Sequence, residues 1–251
     1  MKVLVTFAVE PEFARWRGRT AFRRREVGAM AVYHAKIGHA DVDVVLTGMG
    51  LGSARRAMEA VMDSSYSVCI SSGFAGGLKP AWAVGDLLVA ESVRTTADSG
   101  ALQCNPEFVA EAEEFGARRI ETLLSAEAVV STATQKAALA DIADAVDMES
   151  YAIVAAAQPF NVPVVVIRAV SDSFEQDMPM DFSGAISEDG RVLRGPVLRE
   201  VAAHPSALPG LIRLGRQSSR AAERLADFLT TFIETTDSFA GSSRLVEEAA
   251  R

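Results

Sequence analysis

Short runs of β-branched and aliphatic residues, each closed by glycine or a carboxylate, recur along this chain and alternate with stretches of helical spacing. Lys2–Ala8 predicts a first strand. Asp41–Leu46 predicts a second, which runs into Thr47-Gly48-Met49-Gly50 and then into a helix near Ser53–Met62. Val68–Ser72, Asp86–Glu91 and Val162–Val170 complete the clear strands. Within the last, Val164-Val165-Val166-Ile167 shows no polar alternation, as expected of a strand covered on both faces. Strands alternating with helices predict a single α/β domain with a largely parallel sheet covered on both sides. From about Pro205 the pattern turns helical, with Leu211, Leu214, Ala222, Leu225 and Phe228 on one face. Neither a repeat nor a linker divides the chain, so the domain is expected over 1–236. The small and charged residues of 237–251 are expected to fray as a tail.

Composition narrows the partners. The formal net charge of −8 argues against a nucleic-acid ligand, because phosphate backbones are bound by basic patches. Arg23-Arg24-Arg25 reads as a short basic turn on a solvated face. A hydrophobic share of 49% excludes disorder and lets 251 residues bury one sizeable core. Cys69, Cys104 and the scattered His34, His39 and His204 show no metal-ligand spacing, so no metal and no cofactor are expected. The apolar start Met1–Phe7 is too short for a signal segment, and no run of about 18 apolar residues could span a membrane. A cytoplasmic protein is expected.

Candidate chemistry gathers at the predicted strand ends, where open α/β sheets bind ligands. Asp172 closes the run Pro163–Val170 as Arg168-Ala169-Val170-Ser171-Asp172. A carboxyl group at the mouth of a buried strand can be tuned toward general-acid duty, but a helix cap or turn explains an Asp there equally simply. Asp147-Met148-Glu149-Ser150 opens an Ala-rich helix through Ala157, with Asp147 as cap and Glu149 in the first turn, favoured by the helix dipole. Glu12 after Pro11 admits the same account. Gly48-Met49-Gly50-Leu51-Gly52 follows a strand and precedes a helix, yet a dinucleotide fingerprint needs its third glycine where Ser53 stands. That spacing rejects a nicotinamide enzyme. Gly73-Phe74-Ala75-Gly76-Gly77 predicts a tight turn, serving either the chain or a ligand through its backbone N–H groups.

Taken in order, these segments resemble the nucleoside phosphorylase and nucleosidase superfamily, above all the 5′-methylthioadenosine/S-adenosylhomocysteine nucleosidase type. The resemblance runs through Ala8-Val9-Glu10-Pro11-Glu12, Thr47-Gly48-Met49-Gly50 and Ser72-Gly73-Phe74-Ala75-Gly76-Gly77-Leu78. It continues in Val84-Gly85-Asp86-Leu87-Leu88-Val89, Val146-Asp147-Met148-Glu149 and Phe160-Asn161-Val162-Pro163 up to Asp172. A second resemblance covers Gly190 to about Leu229, with Arg191-Val192-Leu193-Arg194 and His204-Pro205-Ser206-Ala207-Leu208-Pro209. It is to nucleosidases of hopanoid biosynthesis, which remove adenine from adenosylhopane.

The resemblance implies a three-layer α/β/α phosphorylase-like fold with a mixed, largely parallel central sheet. It also implies cleavage of a purine N-glycosidic bond. Asp172 would protonate or hydrogen-bond the base, Glu149 would hold the ribose hydroxyls and stabilise the developing cation, and Glu12 would position and deprotonate the attacking water. Met148 would pack on the sugar. Gly73, Phe74, Ala75 and Gly76 would meet the nucleoside, and the backbone near Val129 the base edge. Arg168 would be a buried carboxylate partner. A homodimer is implied, the second copy closing the 5′ side of the pocket.

Two departures stand out: Phe74 replaces a small hydroxyl residue, and Ser125–Val130 lacks the aromatic residue that stacks on the base. Phosphate remains a candidate co-substrate, but phosphorolysis needs a basic clamp. Arg55 and Arg56 fall on the face of a helix, and hydrolysis is the expected reaction. A nucleoside-binding protein without turnover is the non-enzymatic alternative.

Overall fold

The structure, a computed structural model, describes residues 1–28, 30–97, 100–179, 195 and 207–249, with side chains described as far as Thr236. The first half runs β1 (Lys2–Phe7), α1 (Glu10–Arg19), β2 (Arg23–Val27), β3 (Met30–Ile37), β4 (Ala40–Leu46), α2 (Leu51–Val61), β5 (Val68–Gly77) and β6 (Leu87–Thr95). There follow β7 (Leu102–Gln103), α3 (Pro106–Glu114), β8 (Arg118–Ser125), α4 (Ala133–Leu139), β9 (Ala145–Asp147), α5 (Ser150–Ala157), β10 (Val164–Asp172) and the long α6 (Leu208–Ala249).

One mixed sheet carries these strands, with helices against it. β1 is parallel to β4 on one side and to β5 on the other. β5 is also parallel to β10 along nearly its whole length, and its glycine-rich end pairs antiparallel with β9. Because β10 pairs with β6, β6 with β8 and β8 with β9, these five strands close into a ring. From the ring β1, β4, β3 and β2 extend as an open wing. The C-terminal ends of β1, β5 and β10 therefore meet at one place. Every residue of β10 is buried, as its unalternating sequence requires.

The core fixes the helix that matters most for that place. Phe13 and Trp16 on α1 are fully buried against Phe7, with Phe22 and Tyr33 completing an aromatic cluster. Burying one such side chain contributes about 1.5–3 kcal/mol. Trp16 also donates its indole N–H to Thr230 Oγ1 of α6 at 2.9 Å, and Arg19 pairs with Glu223 and Asp227 of the same helix. α1 is thus clamped between the sheet and α6, and its N-terminus is held over the end of β1.

Two sequence expectations need correction. Gly73–Gly77 is not a turn but the continuation of β5, paired with β10 on one edge and β9 on the other. Glycine in a strand marks a close approach of other groups, and here those groups are carboxylates. Arg23-Arg24-Arg25 is likewise not a turn but the exposed edge strand β2, paired with β3 across a bend at Gly28 with φ 58°. Its charged residues suit a sheet edge that should not recruit another strand. Of the second resemblance, residues 191–194 and 204–206 lie outside the described residues. The tail expected over 237–251 carries helical backbone to Ala249 and no described side chains. Among the described residues, no helix is long and apolar enough to cross a membrane.

Candidate active site

Glu12 occupies the third position of α1, where a glutamate can fold back onto the free N–H groups ahead of the helix. Its Oε2 accepts from the N–H of Ala8 at 2.7 Å and of Val9 at 3.1 Å, while Oε1 accepts from the N–H of Phe74 at 2.8 Å. The carboxylate therefore ties α1 to β5. Gly73 makes this possible: a Cβ there would lie 2.8 Å from Oε1, and the residue's φ of 148° is one that side chains disfavour. Burial pushes the Glu12 carboxyl above its ordinary value, against the three N–H groups that stabilise its charge.

Glu149 is held from the other side. The sequence places it in the first turn of a helix capped by Asp147, whereas in the structure the helix starts two residues later and Glu149 itself holds the capping position of α5. Its side chain does not cap that helix. Oε1 instead accepts from the N–H of Gly50 at 2.7 Å, at the start of α2. The glycine turn that fails as a dinucleotide fingerprint thus presents its backbone donor to a carboxylate. Gly50 stands at φ 89°, a conformation that suits glycine. Burial first, and then the nearby charge of Asp147, push Glu149 up to about 8.

Asp147 closes β9 and serves the frame. Its carboxylate accepts from Ser125 Oγ at 2.6 Å and from Ser150 N–H at 3.1 Å, and Arg168 grips it with Nε at 3.0 Å and Nη2 at 2.7 Å. The remaining Arg168 donors reach Ser71, Ile167 and Ser150. The guanidinium is fully spent, so Arg168 is the buried carboxylate partner that the sequence suggests.

Asp172 ends β10 rather than capping a helix or sitting in a turn. Opposite it, the register with β5 slips by one: Val170 faces Ala75, and Asp172 faces Gly76. The extra residue, Ser171, makes a bulge, which re-aims the side chain that follows. A Cβ on Gly76 would stand 3.1 Å from Asp172 Oδ2. This second glycine, too, is a cradle for a carboxylate. Asp172 is only 1% exposed; Ser171 Oγ donates to its Oδ1 at 2.7 Å and Lys136 Nζ to its Oδ2 at 2.5 Å.

Lys136 was not found by sequence reasoning. It sits in Ala133-Thr134-Gln135-Lys136-Ala137-Ala138-Leu139, the α4 helix opened by a Thr132–Gln135 capping box. A lysine there reads as solvated surface, yet it is 0% exposed. The box marks the helix start, but no local pattern gives the face the lysine occupies.

The three carboxylates line one cleft of about 190 Å3. Met148, Phe74, Ala75, Gly76 and Val129 line it too, whereas Gly73 lies behind Glu12 and shapes the cleft indirectly. The wall near Val129 is aliphatic, formed with Ala128 and Val130, and carries no aromatic ring. No described residue lining the cleft is a lysine or arginine. Arg55 and Arg56 are exposed on α2, the first paired with Glu59 and the second with Ser53. Such a site can protonate a leaving group, oppose a developing positive charge and activate water within one small volume.

Known proteins share this architecture. The chain is similar to the 5′-methylthioadenosine/S-adenosyl homocysteine nucleosidase of Campylobacter jejuni, with a TM-score of 0.72 and 16% identity over 94% of this chain and 99% of that one. A futalosine hydrolase mutant of Helicobacter pylori gives the same TM-score, identity and coverage. The nucleosidase of S. pneumoniae with a transition-state inhibitor gives a TM-score of 0.70 and 20% identity over 93% of this chain and 99% of that one. Residues 2–193 match the family described as the Phosphorylase superfamily, and with three quarters of its length so matched the chain belongs to that superfamily.

Proposed function

We propose that this protein hydrolyses the N-glycosidic bond of an adenosine-type nucleoside carrying a modified 5′ group. The observation that carries this reading is the convergence of Glu12, Glu149 and Asp172 on one cleft, each held by its own set of donors. Cleavage of such a bond passes through a ribosyl cation-like state, which needs a proton for the base, a negative charge for the sugar and a nucleophile. Asp172 delivers the proton to the purine. Glu149 accepts hydrogen bonds from the ribose hydroxyls; the positive charge developing on the sugar favours its ionised form, and that charge opposes the cation. Glu12, whose carboxyl is raised above its ordinary value by burial, takes the proton of the attacking water. Met148 packs on the sugar, and the chain at Ala128–Val130 meets the base edge.

Hydrolysis is favoured over phosphorolysis by the cleft wall. A phosphate nucleophile requires charge-assisted donors, and the described lining offers no cationic side chain. Phe74 reinforces this, since its position gives a backbone N–H to Glu12 and no hydroxyl to an anion.

The apolar lining by Met49, Phe74 and Met178 suits a 5′ group that is itself apolar, and the resemblance to enzymes acting on adenosyl lipids extends the proposal to a long one. A second copy of the chain would complete the 5′ side. The test is adenine release from adenosine and from 5′-alkyl adenosines of increasing length, with and without phosphate. We expect turnover independent of phosphate and kcat/KM rising with chain length, each buried methylene contributing about 0.8 kcal/mol. A maximum at methylthio with a sharp fall beyond it would restrict the 5′ group to a small one. Strict dependence on phosphate would overturn hydrolysis.

A further inference from the structure

Lys136 has no place in the reaction outlined above, and its position is costly. A buried ammonium must be paired and hydrogen-bonded to be tolerated. Its three N–H donors meet three acceptors: Asp172 Oδ2 at 2.5 Å, Ser173 O at 2.7 Å and Gln176 O at 3.0 Å. The two carbonyls belong to the segment just after β10, so they hold the amine while one N–H stays aimed at the carboxylate. The oxygen it reaches is Oδ2, the one that a Cβ on Gly76 would approach to 3.1 Å, and both Gly76 and Asp172 line the cleft. The other oxygen is occupied by Ser171. Asp172 thus receives donors on both oxygens, an arrangement suited to a carboxylate rather than to a carboxylic acid. An acid built this way needs a source for the proton it gives away.

We propose that Lys136 is that source, acting through Asp172; the inference rests on the nucleosidase reading. As the glycosidic bond stretches, an N–H bond of the Lys136 ammonium breaks and an O–H bond forms on Oδ2. That O–H bond then breaks as an N–H bond forms at N7 of the purine, while the electron pair of the C1′–N9 bond leaves with the base. Water adds at C1′ and loses its proton to Glu12. The base departs neutral, Lys136 is left as an amine and Glu12 as an acid. Proton exchange with solvent after product release restores both. One neighbouring feature fits this role: the bulge at Ser171 re-aims the residue that follows, Asp172, which lines the cleft while its Oδ2 accepts from the lysine.

The test compares each nucleoside with its N7-methylated form, whose base already carries the positive charge and needs no proton at N7 to leave. Lys136→Arg keeps a cation beside Asp172 but offers a group that does not lose its proton in proteins. We expect Lys136→Arg and Lys136→Met to lower kcat on the unmethylated nucleoside on the order of 100-fold or more, the span of general-acid catalysis. On the N7-methylated nucleoside both should stay within a few-fold of wild type, on the order of unity on that scale. Should the Met variant fail to fold, which thermal unfolding reports, the Arg variant carries the test alone. Equal losses on both substrates would make Lys136 a packing residue and overturn the inference, as would full activity of Lys136→Arg on the unmethylated nucleoside. If wild type cleaves neither substrate, the nucleosidase reading itself falls and the inference with it. Cleavage by wild type with no selective loss in the variants overturns the inference alone.

Discussion

Two clusters of buried carboxylate chemistry sit on the same sheet and have opposite characters. On the open wing, Asp43 of β4 is 1% exposed and is met by Arg25 Nη2 at 2.7 Å, His34 Nδ1 at 3.0 Å and the Tyr66 hydroxyl at 3.0 Å. Burial pushes its carboxyl upward, but the hydrogen bonds from His34, Arg25 and Tyr66 outweigh burial and hold it below the ordinary range. In the cleft, Glu149 accepts, among the described residues, only from backbone, the N–H of Gly50 at 2.7 Å and of Met148 at 3.3 Å. It has a second carboxylate, Asp147, as neighbour, and burial first and then that charge push it up to about 8. Burial is common to both. What differs is whether the fold spends its donors on neutralising the charge or leaves it in want of a partner. A fully compensated carboxylate stabilises the fold. An under-compensated one is held ready for a ligand.

Exchanging an acid in the cleft should therefore cost activity and spare the fold. The largest effect is expected for Asp172→Asn, whose amide still accepts from Lys136 but cannot pass on a proton. Its kcat should fall about 100- to 10,000-fold with the thermal midpoint little changed, and a folded variant with wild-type kcat would remove Asp172 from the acid role. Glu149→Gln comes next, with a loss of about 100- to 1,000-fold that falls on kcat rather than on KM, because the charge matters most when the cation forms. A raised KM with unchanged kcat would reduce Glu149 to holding the sugar.

The same variant sharpens the contrast through pH. In the folded state Glu149 keeps its proton up to about 8, while in the unfolded chain it releases it near 4.5. Its stabilising contribution is thus complete below 4.5 and lost as pH rises through 8. Wild-type stability should decline over that interval, and Glu149→Gln should flatten the decline. Asp43 runs the other way: its contribution is present above 3.8 and is lost as pH falls through its lowered folded value.

Gly73→Ala follows in size. Its Cβ would press on the Glu12 carboxylate and hold an unfavourable φ, so we expect about a tenfold loss of kcat, the scale of a 1.4 kcal/mol misplacement of the base. An unaffected rate would show that Glu12 does not need its present seat. Asp43→Asn should have the smallest effect on turnover, none measurable, while costing about 1–3 kcal/mol of stability at neutral pH. If it abolished activity in a folded protein, the separation of the two clusters would be wrong.

Much of this was legible in the chain. β1, β4 and β10 announce themselves as runs rich in β-branched residues, with Glu12 just past the end of β1 and Asp172 at the end of β10, whereas Glu149 follows the three-residue β9, which has no such run. The glycines of 73–77 mislead because a strand that must admit two carboxylates looks locally like a turn. β2 is hidden by its charges, which belong to an edge. Lys136 is the deepest omission. Its burial is set by Asp172 and by two carbonyls 37 and 40 residues further on, so nothing within its own helix reveals it.

The central claim is that water, activated at Glu12, replaces the base at C1′. The direct measurement is turnover of a 5′-substituted adenosine in 18O-labelled water with phosphate present, followed by mass analysis of the sugar. The account predicts one labelled oxygen at C1 of the free sugar for each adenine released, lost together with turnover in Asp172→Asn. A sugar 1-phosphate without label, or no adenine from any 5′-substituted adenosine, would contradict it.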